Sequence, residues 1–193
     1  MRKALALLAL LLLAFAGSYL LWPLQVEQPV QSVSIGGPFR LASAKGGVVD
    51  SDGLKGKPYG VFFGYTHCPD VCPTTLYDMS NALDTLGDEA KDFRLFFITV
   101  DPERDTAQVM KDYVSNFDPR IDGLIPTKDE LTRILQAFHA VFEKVPDGQG
   151  GYTMNHTATV YLMGRDGTLQ STLTFGENPD TRIAKLKRLL AGG

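Results

Sequence analysis

The chain has 193 residues, of which 44% are hydrophobic, and a formal net charge of −3. That length and apolar content suit one ordinary globular domain able to bury its own core. Setting aside Arg2 and Lys3, which flank an N-terminal apolar segment, takes the charge from −3 to −5, and no basic stripe follows, so no nucleic-acid partner is expected.

Met1-Arg2-Lys3 precedes an uncharged apolar run from Ala4 to Trp22, broken only by Gly17 and Ser18. Helical residues in that run, at about 1.5 Å each, span about 28 Å, close to the ~30 Å hydrocarbon core of a bilayer. Positive charge before the run and none soon after it predicts a cytoplasmic N-terminus and an exported domain, with Trp22 as an interfacial anchor. Residues 1–22 are therefore expected to form a transmembrane anchor helix. The competing reading is a cleaved signal peptide, because Ala14-Phe15-Ala16 precedes Gly17 in a small-x-small pattern. Retention is preferred because the apolar run continues through Tyr19-Leu20-Leu21-Trp22. Either way the domain stands on the exported side of a membrane, expected to be the periplasmic face of a bacterial inner membrane. Residues 23–35 are polar and Pro-containing, as in a tether, and the folded domain is expected over 36–193.

Within that domain, Phe39-Arg40-Leu41 and Gly47-Val48-Val49 are short strand candidates, and Tyr59 to Thr66 reads as a buried strand. A helix is predicted from Pro73 to Leu86, with Leu76, Met79, Leu83 and Leu86 at three- and four-residue spacing. Phe93 to Val100 is the next strand, Thr106 to Phe117 a second helix, and Gly123 to Pro126 a short strand or extended link. The third helix opens with the capping box Thr127-x-x-Glu130 and carries an apolar face of Leu131, Ile134, Leu135, Phe138 and Phe142. After the Gly-rich loop Asp147 to Gly151, strands Thr157 to Met163 and Leu169 to Phe175 are joined through an Asp166-Gly167 hairpin turn. Asp180 is read as the cap of a last helix, Thr181 to Leu190. This order predicts an α/β domain, a mixed sheet flanked by helices that is thioredoxin-like in sequence of elements.

Cys68 and Cys72 are the only cysteines of the chain and follow the buried strand directly. As a structural staple the pair gains little, because so short a loop removes only roughly 2 kcal/mol of unfolded-state entropy. At a strand end leading into a helix N-terminus, unpaired N–H groups favour thiolate, which is both nucleophile and soft ligand. Pro69 and Pro73 remove backbone donors and stiffen the Cys68 to Pro73 segment into a rigid loop or irregular first turn. Two thiolates and one imidazole satisfy copper(I). Of three histidines, His67 is expected to face away from Cys68, and His139 reads as a packed or half-exposed helix residue. His156, placed in the loop before Thr157 to Met163, is the best third ligand, against a loop-capping role. Met154 is a softer alternative that more often serves as core filler.

Gly36-Gly37-x-Phe39-x-Leu41, Gly56-Lys57-Pro58, the block from Val61 to Leu76, Val100-Asp101-Pro102-Glu103-Arg104-Asp105-Thr106, and Asn155-His156 before Val160-Tyr161-Leu162 together resemble the Sco/SenC family over about residues 35 to 190. The resemblance implies a membrane-anchored thioredoxin-like domain that binds one copper ion, as Cu(I) or Cu(II), through Cys68, Cys72 and His156. It also implies a part in maturing the dinuclear copper centre of cytochrome c oxidase subunit II, by delivering copper, by reducing that subunit's cysteines, or both. A copper-donating chaperone is the expected upstream partner. Many members carry Asp where this chain has Asn155, a change beside the site that removes no ligand. Asp101 and Asp105 also match and read as turn and capping residues.

The competing function is a membrane-anchored thiol-disulfide oxidoreductase using Cys68 and Cys72 as its redox pair. Three residues, not two, separate these cysteines, and His156-Thr157 stands where thioredoxins place a cis-proline, so the pattern leans towards metal. A peroxidase would need a different cysteine motif, and none is present.

Overall fold

The computed structural model describes residues 15–17, 34–148 and 150–192. Residues 15–17 are helical, and the compact unit that follows begins at Ser34. Most of the expected anchor over 1–22 and of the tether over 23–35 lies outside the described residues. Among the described residues no helix is long and apolar enough to cross a membrane.

The unit is a seven-stranded mixed sheet with strand order β2-β1-β5-β4-β3-β8-β9. Its strands are β1 (Arg40–Ser43), β2 (Val48–Asp50), β3 (Tyr59–Gly64), β4 (Arg94–Thr99), β5 (Ile121–Ile125), β8 (Thr159–Met163) and β9 (Leu169–Thr174). The helices are α1 (Val71–Leu86), α2 (Ala107–Val114), α3 (Lys128–Phe138) and α4 (Pro179–Ala191). β3 runs parallel to β4 and antiparallel to β8, and every one of its residues is buried. A continuous apolar run is what a strand covered on both faces requires. The core gathers on it: Phe62, Phe63, Phe97, Leu76, Leu83 and Phe138 are all fully buried. This is the α/β, thioredoxin-like architecture expected from the order of elements.

Local signals place most boundaries. Thr127 and Glu130 form a reciprocal capping box at α3, and the Thr106 hydroxyl accepts from the Val109 amide to cap α2. Three expectations need correction. The face predicted for the third helix does not extend to Phe142, because α3 ends at Phe138 and His139 takes a left-handed conformation with φ 50°. Leaving the helix there lets Phe142 start a strand, where it is exposed. The last helix is capped by Asn178, whose side chain accepts from the Asp180 and Thr181 amides while Pro179 fills the first helical turn, so Asp180 is inside the helix. The first helix starts at Val71, two residues before Pro73, which occupies a first-turn position where a missing N–H costs nothing.

The chain also contains a hairpin that hydrophobic periodicity did not reveal. β6 (Phe142–Pro146) and β7 (Tyr152–His156) pair antiparallel in a separate two-stranded sheet, with Phe142 opposite His156 and Pro146 opposite Tyr152. The Gly-rich segment is the turn of this hairpin. Of the ten paired residues only Met154 is buried, so neither strand presents an apolar face to read.

Candidate metal centre

The thiols sit where β3 gives way to α1. Gly64 closes β3, and a Cβ built there would stand 2.6 Å from Cys72 Sγ and 2.5 Å from the Phe97 ring, so only glycine leaves room for the buried thiol. Asp70 occupies the N-cap of α1 without a side-chain capping bond. The Cys72 amide instead donates to Cys68 Sγ at 3.4 Å, which makes a sulfur the acceptor for an otherwise orphaned helix N–H. Cys72 is buried and Cys68 half-buried, and both are free thiols.

His156 ends β7 and comes up against this turn, with its Nε2 3.3 Å from Cys72 Sγ. Its place is therefore the end of a strand, not the loop expected from sequence. Nδ1 lies 3.2 Å from the Thr157 carbonyl, a contact in which the ring nitrogen donates. The imidazole packs edge-on against Tyr65 (5.8 Å, 88°) and Phe62 (6.3 Å, 64°). Donor atoms of Cys68, Cys72 and His156 all lie within 4.8 Å of one another.

The two sulfurs share one proton unequally. A hydrogen bond from the Cys72 thiol holds Cys68 far below the usual thiol range, opposed by partial burial and aided by a hydrogen bond from His156 and by the amides of Cys72 and Asp70. Donating to that thiolate, together with burial and the neighbouring negative charge, pushes Cys72 up. The pair thus presents one thiolate and one thiol beside the His156 imidazole. Binding a soft cation would displace the remaining thiol proton and use all three donors.

Neighbouring residues fix the turn. Buried Asp105 accepts from the Thr66 amide (3.0 Å), the Thr66 hydroxyl (2.6 Å) and the Thr99 hydroxyl (2.5 Å). The Tyr65 hydroxyl meets Thr153 Oγ1 at 2.8 Å and accepts from the Met154 amide at 3.3 Å, pinning β7 to the thiol-bearing segment. His67 projects away, half-exposed and 3.0 Å from the Thr66 hydroxyl, and His139 caps α3. Met154 is buried, and Asp101 and Asp105, also buried, are not among the three clustered donors. Asp101 accepts from Arg104 and from the Tyr152 hydroxyl. Tyr65, Thr66, Tyr152 and Arg104 were not singled out from sequence. Each works through partners far along the chain, and spacing alone carries no signal for that.

The sequence profile of the SCO1/SenC family matches residues 27–191. The chain belongs to the SCO1/SenC family. Its similarity to other SCO1/SenC proteins extends well beyond the cysteine motif. A SCO2-like protein of Rickettsia felis is 32% identical over 188 residues, covering 92% of each chain. The structure of Bradyrhizobium japonicum ScoI with copper bound is similar at 46% identity and a TM-score of 0.75, over 81% of this chain and 99% of that one. BsSco, described as a member of the Sco family of cytochrome c oxidase assembly proteins with a disulfide switch, is 26% identical with a TM-score of 0.64, over 86% of this chain and 98% of its own.

Proposed function

We propose that this protein is a copper-binding assembly factor in which Cys68, Cys72 and His156 take up one copper ion. The observation that carries the reading is the meeting of two sulfurs and one imidazole within 4.8 Å, assembled from segments 84 residues apart between Cys72 and His156. Two thiolates and an imidazole are a donor set selective for copper(I) over hard divalent cations. That ScoI of Bradyrhizobium japonicum was solved with copper bound supports the same cargo here. The domain receives copper from a donating chaperone and passes it to the dinuclear copper centre of cytochrome c oxidase subunit II, keeps that subunit's thiols reduced, or does both. Residues 1–22 anchor it in the membrane with the domain exported, towards the periplasm of a bacterial cell.

A second reading is favoured by two free thiols of unequal exposure, Cys68 half-buried and Cys72 buried behind it. A Cys68 thiolate beside a Cys72 thiol is poised for exchange: Cys68 attacks a target disulfide, Cys72 resolves the mixed disulfide, and two electrons leave this pair as the target gains two thiols. Copper release exposes the same thiols, so the two activities are compatible.

Metal analysis with X-ray absorption on wild type and His156→Ala tests the copper reading. One copper(I) per chain with two sulfur ligands and one nitrogen is expected for wild type, with the nitrogen lost and affinity sharply weakened in the variant. Full affinity in His156→Ala would remove the three-ligand site. If that variant reduces a disulfide target at the wild-type rate while wild type binds no copper, the oxidoreductase reading stands instead.

A further inference from the structure

The donors of the candidate metal centre ride on two bodies with no shared strand pairing. Cys68 and Cys72 belong to the turn between β3 and α1, while His156 ends a hairpin that forms its own two-stranded sheet. A lone two-stranded hairpin is marginally stable in water, so the imidazole's position depends on side-chain ties. The segment from Asp101 to Asp105 reaches both bodies. Asp105 grips Thr66 on the thiol side, and Arg104 grips Tyr152 on the hairpin side.

We propose that Arg104 is the positioning residue of His156, fastening the hairpin to the Asp101–Asp105 segment and so setting where the imidazole stands over the thiol pair. Its Nη1 donates to the Tyr152 carbonyl at 3.0 Å, and its guanidinium carbon lies 3.7 Å from the centroid of the Tyr152 ring. Its Nε donates to Asp101, which also accepts from the Tyr152 hydroxyl at 3.0 Å, closing a ring of three side chains. The same guanidinium stands 5.7 Å from the Tyr65 ring, the ring whose edge-on contact orients His156. Lys144, 3.6 Å from the Tyr152 ring centroid and 3.1 Å from Glu103, adds an exposed tie between the same two segments. Arg104 Nη2 is buried without a hydrogen-bond partner among the described residues. The group is thus held by its stack and its fork, two features that lysine lacks.

The inference rests on the copper reading, and its test separates the two. Full-length Arg104→Met, Arg104→Lys and Tyr152→Leu are compared with wild type after loading with copper(I) and in the metal-free state. Arg104→Met is expected to keep both sulfur ligands, to lose most of the imidazole contribution to the X-ray absorption spectrum, and to yield copper(I) to a competing chelator about 10–100-fold faster, the cost typical of removing a ligand's support. In the metal-free chain its Met154 amide exchanges at least about tenfold faster than in wild type, because the hairpin opens more often. Arg104→Lys falls between the two. Tyr152→Leu, which cuts the clasp from the hairpin side, reproduces Arg104→Met and decides the matter if that variant does not fold. A folded Arg104→Met with the wild-type imidazole signature and chelator rates within about twofold overturns the proposal. If wild type shows no imidazole ligand, the copper reading fails and the metal-free measurement decides alone: unchanged Met154 exchange in Arg104→Met overturns the clasp.

Discussion

Gly64 shows how a single residue can decide whether a site exists. Its strand also carries Tyr59, Val61, Phe62 and Phe63, all buried, and the Phe97 ring and Cys72 sulfur together fill the space that any Cβ at Gly64 would take. Gly64→Ala should force the sulfur or the ring aside. Overpacking of a filled core costs roughly 1–3 kcal/mol, so a lower melting temperature is expected, together with weakened copper binding because the crowded Cys72 sulfur is one of the proposed ligands. Thermal denaturation with and without copper(I) measures both, and an unchanged melting temperature would show that the neighbours yield freely. That Cys68, Cys72 and His156 stand together was legible because their donor chemistry is carried by residue type. The role of Gly64 was not, since its neighbour Phe97 lies one strand away.

At the scale of elements, the legible parts were those whose amphipathic pattern faces a core. β3 and β4 read as continuous apolar runs, and α3 announced itself through a capping box and four buried positions. The β6–β7 hairpin did not, because its strands bury only Met154 and are held by backbone pairing and by ties to Tyr65 and to the Asp101–Asp105 segment. Phe142 looked helical because it stands four residues after Phe138, yet the left-handed His139 had already turned the chain. That same Asp101–Asp105 segment supports a further prediction. Asp105→Ala leaves the buried Thr99 hydroxyl and the Thr66 amide without their acceptor, at about 1–3 kcal/mol for each buried group stranded. Denaturant unfolding should show a loss of roughly that size. Asp105→Asn, which keeps one acceptor oxygen, should recover part of it.

On the scale of the whole molecule, stability depends on joints between layers, and one of them is charged. In the link from α2 to β5, Asp118 receives the Arg120 guanidinium at 2.6 Å, while its amide donates to Ser80 Oγ of α1 at 3.0 Å. Arg120 also reaches the Gly87 carbonyl at the C-terminal end of α1 at 3.4 Å. The hydrogen bond from Arg120 holds the Asp118 carboxyl below the ordinary carboxylate range. A depressed folded-state pKa means that the unfolded chain binds this proton more readily. The pair's contribution is therefore present above the unfolded value near pH 4 and is lost as pH falls through the lower folded value. Asp118→Asn should cost about 1 kcal/mol at pH 7, once solvent screening is allowed for, and the gap to wild type should narrow as pH falls below the unfolded value. Asp122, two residues beyond Arg120 in sequence, works in the opposite sense: burial raises its carboxyl against the Ser43 hydroxyl that donates to it. Its burial penalty is relieved as pH falls, so Asp122→Asn should gain on wild type at pH 7 relative to pH 3. Denaturant titrations of the two variants across that range separate the groups. Parallel pH dependence in both would show that the joint is governed by overall charge and not by the local partners of Asp118.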